Sequence, residues 1–223
     1  MKITIQAKLS EFPIEQVLYY LGYQDQELDS LVLNQIHEMR NLTISSANPK
    51  LLYRIFSKEE CRALHFEGND IRQIIEPSQY IVFMVATLSN SVEKIAHQKS
   101  VTNVSEALIF DACCNAAIEN VCDNFQVELT KQLEKERLYL SDRFSPGYGD
   151  FPLSFQSTLC SCLNTSSKIA VNVSENNILS PLKTVSAICG ISDKPFKHRF
   201  RGCETCNLFM TCSLRKRGKK CDS

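Results

Sequence analysis

Three sets of residues have the types and spacing to do chemistry. The first is Arg143-Phe144-Ser145-Pro146-Gly147-Tyr148-Gly149-Asp150-Phe151-Pro152. Its prolines fix φ and remove donors, and its glycines permit positive φ and close backbone approach. Such a segment cannot continue a helix or a central strand. It reads as a shaped loop, and shaped loops often hold ligands. A guanidinium, free backbone groups and a phenol together suit a ligand with an aromatic base, a carboxylate and a positive centre. The same residues also suit a tight connection around a buried tyrosine, and the loop alone leaves both readings open. The chain has no G-x-G-x-x-G or P-loop pattern, so nucleotide phosphates are not the evident target.

The second set is Glu119, with Asn115 and Asp123 four residues to either side. That spacing puts all three on one helix face. A solvated rim is one reading and is preferred for Asp123. Glu119 follows a run of small residues, Ala112-Cys113-Cys114-Asn115-Ala116-Ala117, where another element can approach closely. A carboxylate there could neutralise a cationic ligand.

The third set is Cys203-Glu-Thr-Cys206, then Cys212 and Cys221. C-x-x-C is the specific part of this pattern. Four thiolates suit tetrahedral zinc or a [4Fe–4S] cluster. The alternative is a flexible basic tail with free thiols. The remaining cysteines read as core fillers, because a free thiol packs as a small hydrophobe. The four histidines (His37, His65, His97, His198) are scattered, and no G-x-S-x-G or H-E-x-x-H pattern supports a hydrolase.

The elements that must position these groups follow from periodicity. Pro13 opens a helix over 13–21 that Gly22 can end, and a second helix runs over 25–39. Segments 41–46, 51–57 and 62–66 are short and rich in β-branched or aromatic residues and predict strands. A short helix is expected over 70–75. The near-continuous apolar run 80–88 predicts a strand buried on both faces. Another short helix is expected over 91–97.

The long helix spans 105–136, with Ser105 as N-cap and a staple between Val104 and Ile109. Its apolar stripe is Ile118, Val121, Phe125, Leu129 and Leu133. Extended chain over 138–145 leads into the loop. A helix over 153–163, a strand over 168–173, a turn at Pro181 and a strand over 183–191 complete the body. Helices and strands mix without a βαβ rhythm, so the class is α+β. The expected organisation is a mixed or antiparallel twisted sheet flanked by helices over 1–195, with a basic Cys-rich tail over 196–223.

Composition sets the limits. At 223 residues and 43% hydrophobic, the chain can bury a real core. No stretch approaches the roughly 20 apolar residues of a membrane span, and residues 1–12 carry no export pattern. A cytoplasmic protein with reduced thiols or metal ligands is therefore expected from its eleven cysteines. Net charge is zero but uneven: from Phe196 onward, eight Lys/Arg face Glu204 and Asp222, so the tail is +6 and the body −6.

Read together, several segments resemble the activation (reactivation) domain of cobalamin-dependent methionine synthase, and more closely its stand-alone single-domain relatives. They are Leu18-Tyr19-Tyr20-Leu21-Gly22-Tyr23, Tyr53-Arg54-Ile55-Phe56, Met84-Val85-Ala86-Thr87-Leu88, Asp111-Ala112-Cys113 with Ala117-Ile118-Glu119, the loop from Arg143 through Leu153, and Ser180-Pro181-Leu182-Lys183-Thr184-Val185-Ser186-Ala187. Arg-x-x-Pro-Gly-Tyr is the most specific of these. The Cys-x-x-Cys tail also resembles the stand-alone relatives.

The resemblance implies S-adenosylmethionine bound along Arg143, Ser145, Gly147 and Tyr148, with Glu119 balancing positive charge. It implies a partner, a methionine synthase core that lacks this domain and carries the cobalamin, and an electron donor such as flavodoxin or ferredoxin. Cys203, Cys206, Cys212 and Cys221 would then hold an iron–sulfur cluster or zinc. Two positions depart from the pattern: Ser89 stands where relatives usually have glycine, and Cys189 stands about where the full-length enzyme's domain has a ligand-side tyrosine. Two other readings are a metal-binding module whose basic tail contacts nucleic acid and a subunit of another corrinoid methyltransferase. The acidic body and the lack of an aromatic-basic stripe speak against nucleic acid.

Overall fold

The computed structural model describes residues 2–5, 7, 9, 11–23, 26–196 and 210. The basic Cys-rich tail, with Cys203, Cys206, Cys212 and Cys221, lies outside the described residues. Along the chain come β1 (Lys2–Ile5), α1 (Ile14–Tyr20), α2 (Ser30–Ser46), β2 (Lys50–Ser57), α3 (Asn69–Ile75) and β3 (Tyr80–Thr87). Next are α4 (Asn90–Thr102), α5 (Val104–Glu134), β4 (Tyr139–Leu140), α6 (Phe155–Leu163) and α7 (Thr165–Ile169). A hairpin of β5 (Asn172–Val173) and β6 (Leu179–Ser180) precedes β7 (Thr184–Ser192).

The main sheet has the order β1-β2-β3-β7-β4 and is antiparallel at every pairing. The class is α+β, as expected. Alternation along β3 explains its continuous apolarity. Val82, Met84 and Ala86 join one core with α1, α2, α4 and α5, while Ile81, Phe83 and Val85 join a second core with α3, α6 and α7. α5 crosses the first face, and its expected stripe is buried throughout. Its small residues Ala112, Cys113, Ala116 and Ala117 are buried too, so neighbouring elements pack close to its backbone. Gly190 allows a similar approach on the second face: a Cβ there would meet Ser78 and Ile74.

Several expectations are corrected. Residues 41–46 continue α2 and are not a strand. Ile36, Met39 and Thr43 form one buried helical face, and the Thr43 hydroxyl donates to the Met39 carbonyl at 2.8 Å. Packing overrides the β-branched composition here.

Residues 62–66 are not a strand either. The Glu60 carboxylate accepts from the Ser57 amide at 2.8 Å and turns the chain, and β2 is already paired on both sides. In place of a strand over 168–173, α7 is followed by Ala170 at φ 58, which leaves a two-residue β5.

The cap of α5 is Asn103, whose side chain accepts from the Glu106 amide, rather than Ser105. With that cap the staple positions fall on Thr102 and Ala107. Val104 is therefore 75% exposed and the Val104–Ile109 staple does not form. α4 runs to Thr102, beyond its expected end.

Candidate ligand-binding cleft

The site is built on one face of α5. Asp111, Asn115, Glu119 and Asp123 recur every fourth residue and form a polar ladder beside the apolar stripe. Each half of the ladder holds a different piece of chain. The Arg143 guanidinium donates to Glu119 at 2.9 Å and to Asp123 at 2.8 Å, and reaches Gln126 at 3.3 Å. Lys183 Nζ lies 2.6 Å from Asp111 and donates to Asn115 at 2.7 Å.

The Arg143 side chain is only 5% exposed. Burial works against its charge, but its neighbours outweigh burial and hold its pKa above the ordinary value. Among them, Cys122 is itself pushed up to about 12 by burial and stays a neutral thiol at neutral pH. The Asp123 and Glu119 carboxylates therefore carry the effect.

Beyond Arg143, Phe144 pairs with Ile188 of β7 and so fixes the loop to the sheet. The loop then folds on itself: the Tyr148 amide donates to Ser145, and the Gly147 amide to Phe151 at 2.8 Å. Gly147 sits at φ 93 and Gly149 at φ 55, conformations that glycine reaches without strain. The far side of the loop is tied down by Asp150, which accepts from the Asn69 and Asp70 amides at 2.6 and 3.0 Å. Those bonds, the Asn69 one foremost, hold its carboxyl below the usual carboxylate range.

These anchors leave a solvent-open cleft of about 290 Å³. Glu119 lies on one side, and Ser145, Pro146 and Tyr148 form the loop wall. The remaining lining comes from Leu153 and Gln156, from Asn177, Ile178 and Leu179 of the hairpin, and from Leu182, Thr184, Val185 and Ser186. Gln156 is buried and satisfied, donating to the Asn177 carbonyl at 3.0 Å and accepting from the Ser186 hydroxyl at 2.8 Å. Tyr148 is 68% exposed. The alternative of a tight turn around a buried tyrosine is therefore not what forms.

Tyr20 of α1 stands near the same charges. Its phenol is pushed up to about 12, first by burial and then by Glu119, Tyr19, Tyr148 and Asp123, so it remains a donor.

A larger groove of about 500 Å³ runs along α5 from Asp123 to Glu134 with Asp142. Its lining offers no aromatic face, so the smaller cleft has the more selective chemistry.

The cleft brings together Glu119, Ser145 and Tyr148 of the expected site residues. Gly147 shapes the turn and is not in the lining. Arg143 is also absent from the lining, because its guanidinium faces α5 and braces the loop from beneath. Asp123 is no idle rim residue, since it holds Arg143. Cys189 is buried in β7, and no tyrosine occupies its place.

Gln156, Asn177 and Lys183 escaped sequence reasoning. Only Lys183 had a signal to follow: Asp111 extends the spacing-of-four series by one step and needs a cation. Among the described residues, no group of three or more His, Cys, Asp or Glu side chains could hold a metal. No described helix is long and apolar enough to cross a membrane.

Fold and site together define an α+β domain with a cleft where an anchored loop meets an antiparallel sheet. No family model matches the chain, and none of the curated proteins is similar to it. Among solved structures, the chain is similar to the MetH reactivation domain bound to AdoHcy, with a TM-score of 0.65 at 11% identity. The similarity covers 99% of this chain and 86% of that one. The chain thus has the activation-domain-like fold that its sequence segments suggested.

Proposed function

We propose that the cleft binds S-adenosylmethionine and that the protein serves the reductive reactivation of a cobalamin-dependent methionine synthase. One observation carries the reading: the Arg-x-x-Pro-Gly-Tyr loop walls a cleft in a chain that shares its fold, over 99% of its length, with a domain bound to AdoHcy. AdoHcy is what remains when S-adenosylmethionine gives up its methyl group.

The lining fits such a ligand. The exposed Tyr148 ring suits the adenine, since an aromatic face stacks on a base. The Glu119 carboxylate offsets the sulfonium and the amine. Ser145, Thr184 and Ser186 supply hydroxyls. Arg143 is already spoken for by Glu119 and Asp123, so its part is to hold the loop and to moderate the Glu119 charge rather than to receive the ligand carboxylate. What the chain contributes is a fixed place for a reactive methyl group, open on one side to a partner.

The reaction served is one-electron reduction of cob(II)alamin coupled to methyl transfer, leaving methylcobalamin on the partner core and AdoHcy in the cleft. The electron comes from a donor such as flavodoxin or ferredoxin, and the protein works in the cytoplasm. Within this reading Cys203, Cys206, Cys212 and Cys221 hold a metal. An iron–sulfur cluster there would relay the electron and zinc would remove that step; metal analysis with a visible spectrum of anaerobically purified protein separates them.

Calorimetric titration with S-adenosylmethionine and AdoHcy, with and without a cobalamin-loaded synthase core, tests the proposal. Saturable one-to-one binding of both nucleosides is expected, with the core changing the affinity. No heat with either nucleoside would remove the cleft from the reading.

A further inference from the structure

We propose that Lys183 is a positioning residue for the cleft: clamped by Asp111 and Asn115, it sets the place of the wall formed by residues 182–186, so that ligand affinity depends on a side chain outside the lining. This rests on the ligand-binding reading above.

Lys183 departs from its neighbours in where it goes. Leu182, Thr184, Val185 and Ser186 line the cleft, whereas Lys183 does not and instead reaches α5. Its side chain is 17% exposed. The contact is a closed triad: besides the two contacts of Nζ, the Asn115 amide donates to Asp111 at 3.2 Å. Asn115 is thereby oriented with its oxygen toward the lysine.

The backbone around Lys183 is pinned as well. Its carbonyl accepts from the Leu88 amide at 3.0 Å, the Leu182 amide donates to Glu93, and the Thr184 and Thr87 hydroxyls lie 2.8 Å apart. These backbone ties run to β3 and α4. The Lys183 side chain is the polar tie to α5, beside the apolar packing of Val185 and Ala187 in the shared core, and α5 carries the loop wall through Arg143.

The consequence is geometric. Asn115 and Glu119 are one helical turn apart, about 6 Å along the axis. One holds the 182–186 wall and the other holds the loop. A single rigid helix therefore sets the separation of the two walls. A residue needed only for packing would be met by an apolar stem, but a clamp needs the cation.

Lys183→Met keeps the stem and removes the charge, Lys183→Arg keeps the charge, and Asn115→Ala is a milder variant that weakens the clamp should Lys183→Met fold poorly. Hydrogen exchange is followed at residues 181–187 in the ligand-free full chain, and S-adenosylmethionine affinity is measured by calorimetry. Expected are at least tenfold faster exchange confined to that segment and at least tenfold weaker binding in Lys183→Met, with both recovered to within about threefold in Lys183→Arg. Ile74→Val, a core change outside the cleft lining, should leave both unchanged.

Wild-type exchange in Lys183→Met overturns the proposal whatever the affinity. Faster exchange with unchanged affinity also overturns it. If wild-type protein binds no S-adenosylmethionine, the ligand reading fails and the affinity role fails with it, and the exchange result shows separately whether the clamp itself is real.

Discussion

The guanidinium of Arg143 lies 2.9 Å from the carboxylate of Glu119, 24 residues away in the chain. Through that contact the loop that walls the cleft and the helix that lines it share one charge system. Asp123 completes it from one turn further along α5.

Glu119 and Asp123 should therefore separate binding from stability. Glu119 lines the cleft and Asp123 is absent from the lining, although both hold Arg143. Glu119→Gln should weaken S-adenosylmethionine binding at least tenfold. Asp123→Asn should lower stability by about 1 kcal/mol, because its carboxylate is partly exposed and the pair is screened, while changing affinity less than threefold. Urea unfolding and calorimetry on the same preparations check this. Equal affinity losses would mean that neither carboxylate acts in the cleft directly.

Arg143→Ala removes the cation from beneath the loop. A fully buried pair would lose about 3–5 kcal/mol on truncation. Here water reaches both carboxylates, so about 2 kcal/mol is expected. Affinity should fall as well, through loss of loop position. Arg143→Lys should recover part of the stability, because one terminal nitrogen makes both carboxylate contacts, and should lose the Gln126 contact, which the second nitrogen makes.

Tyr148→Ala should leave the unfolding free energy within about 0.5 kcal/mol of wild type, since the ring is exposed and the turn is held by its backbone. Binding of S-adenosylmethionine should weaken by at least tenfold. A large stability loss with unchanged binding would instead make the ring a brace for the turn.

Ser89 offers a test in which the usual order of substitutions reverses. It sits at φ 70, ψ 174, a region that is almost the preserve of glycine. Its hydroxyl donates to the Asn48 carbonyl at 2.6 Å. Alanine and glycine both lose that bond, but only alanine keeps the strain. Ser89→Gly should therefore be more stable than Ser89→Ala by about 1 kcal/mol, against the general preference for alanine. Chemical denaturation of the pair decides.

The buried thiols should be inert and should make the fold sensitive to alkali. Burial pushes Cys113, Cys114 and Cys122 up to about 12, and Cys61 to about 11. An unfolded cysteine titrates near 8.5. The folded state thus binds protons more tightly, and this contribution is fully present below about 8.5 and lost progressively as pH rises toward the folded values. Peptide mapping after iodoacetamide at pH 8 should leave these four unmodified in the native protein and modified in urea. Unfolding free energy should fall between about pH 8.5 and 10.5.

Local chemistry was legible without coordinates. The apolar run of β3, the stripe of α5 and the Pro/Gly content of the loop each depend on neighbours within a few positions, and each took the form its residues imply. The class followed from the same patterns, and the loop around Tyr148 and the Glu119 carboxylate stood out as candidate ligand positions.

What spacing could not supply was the partner of each charge. Arg143 turns to α5 rather than into the cleft, and Lys183 finds Asn115 across 68 residues. The continuation of α2 through Thr43 and the absence of a strand over 62–66 likewise depended on packing and on sheet positions already filled. By itself the sequence determined where the chain is periodic, where it must turn and which side chains carry charge. Only the tertiary structure decided which charges meet, because an ion pair between distant elements is selected by the placement of whole elements, and that placement is a sum over contacts far apart in the chain.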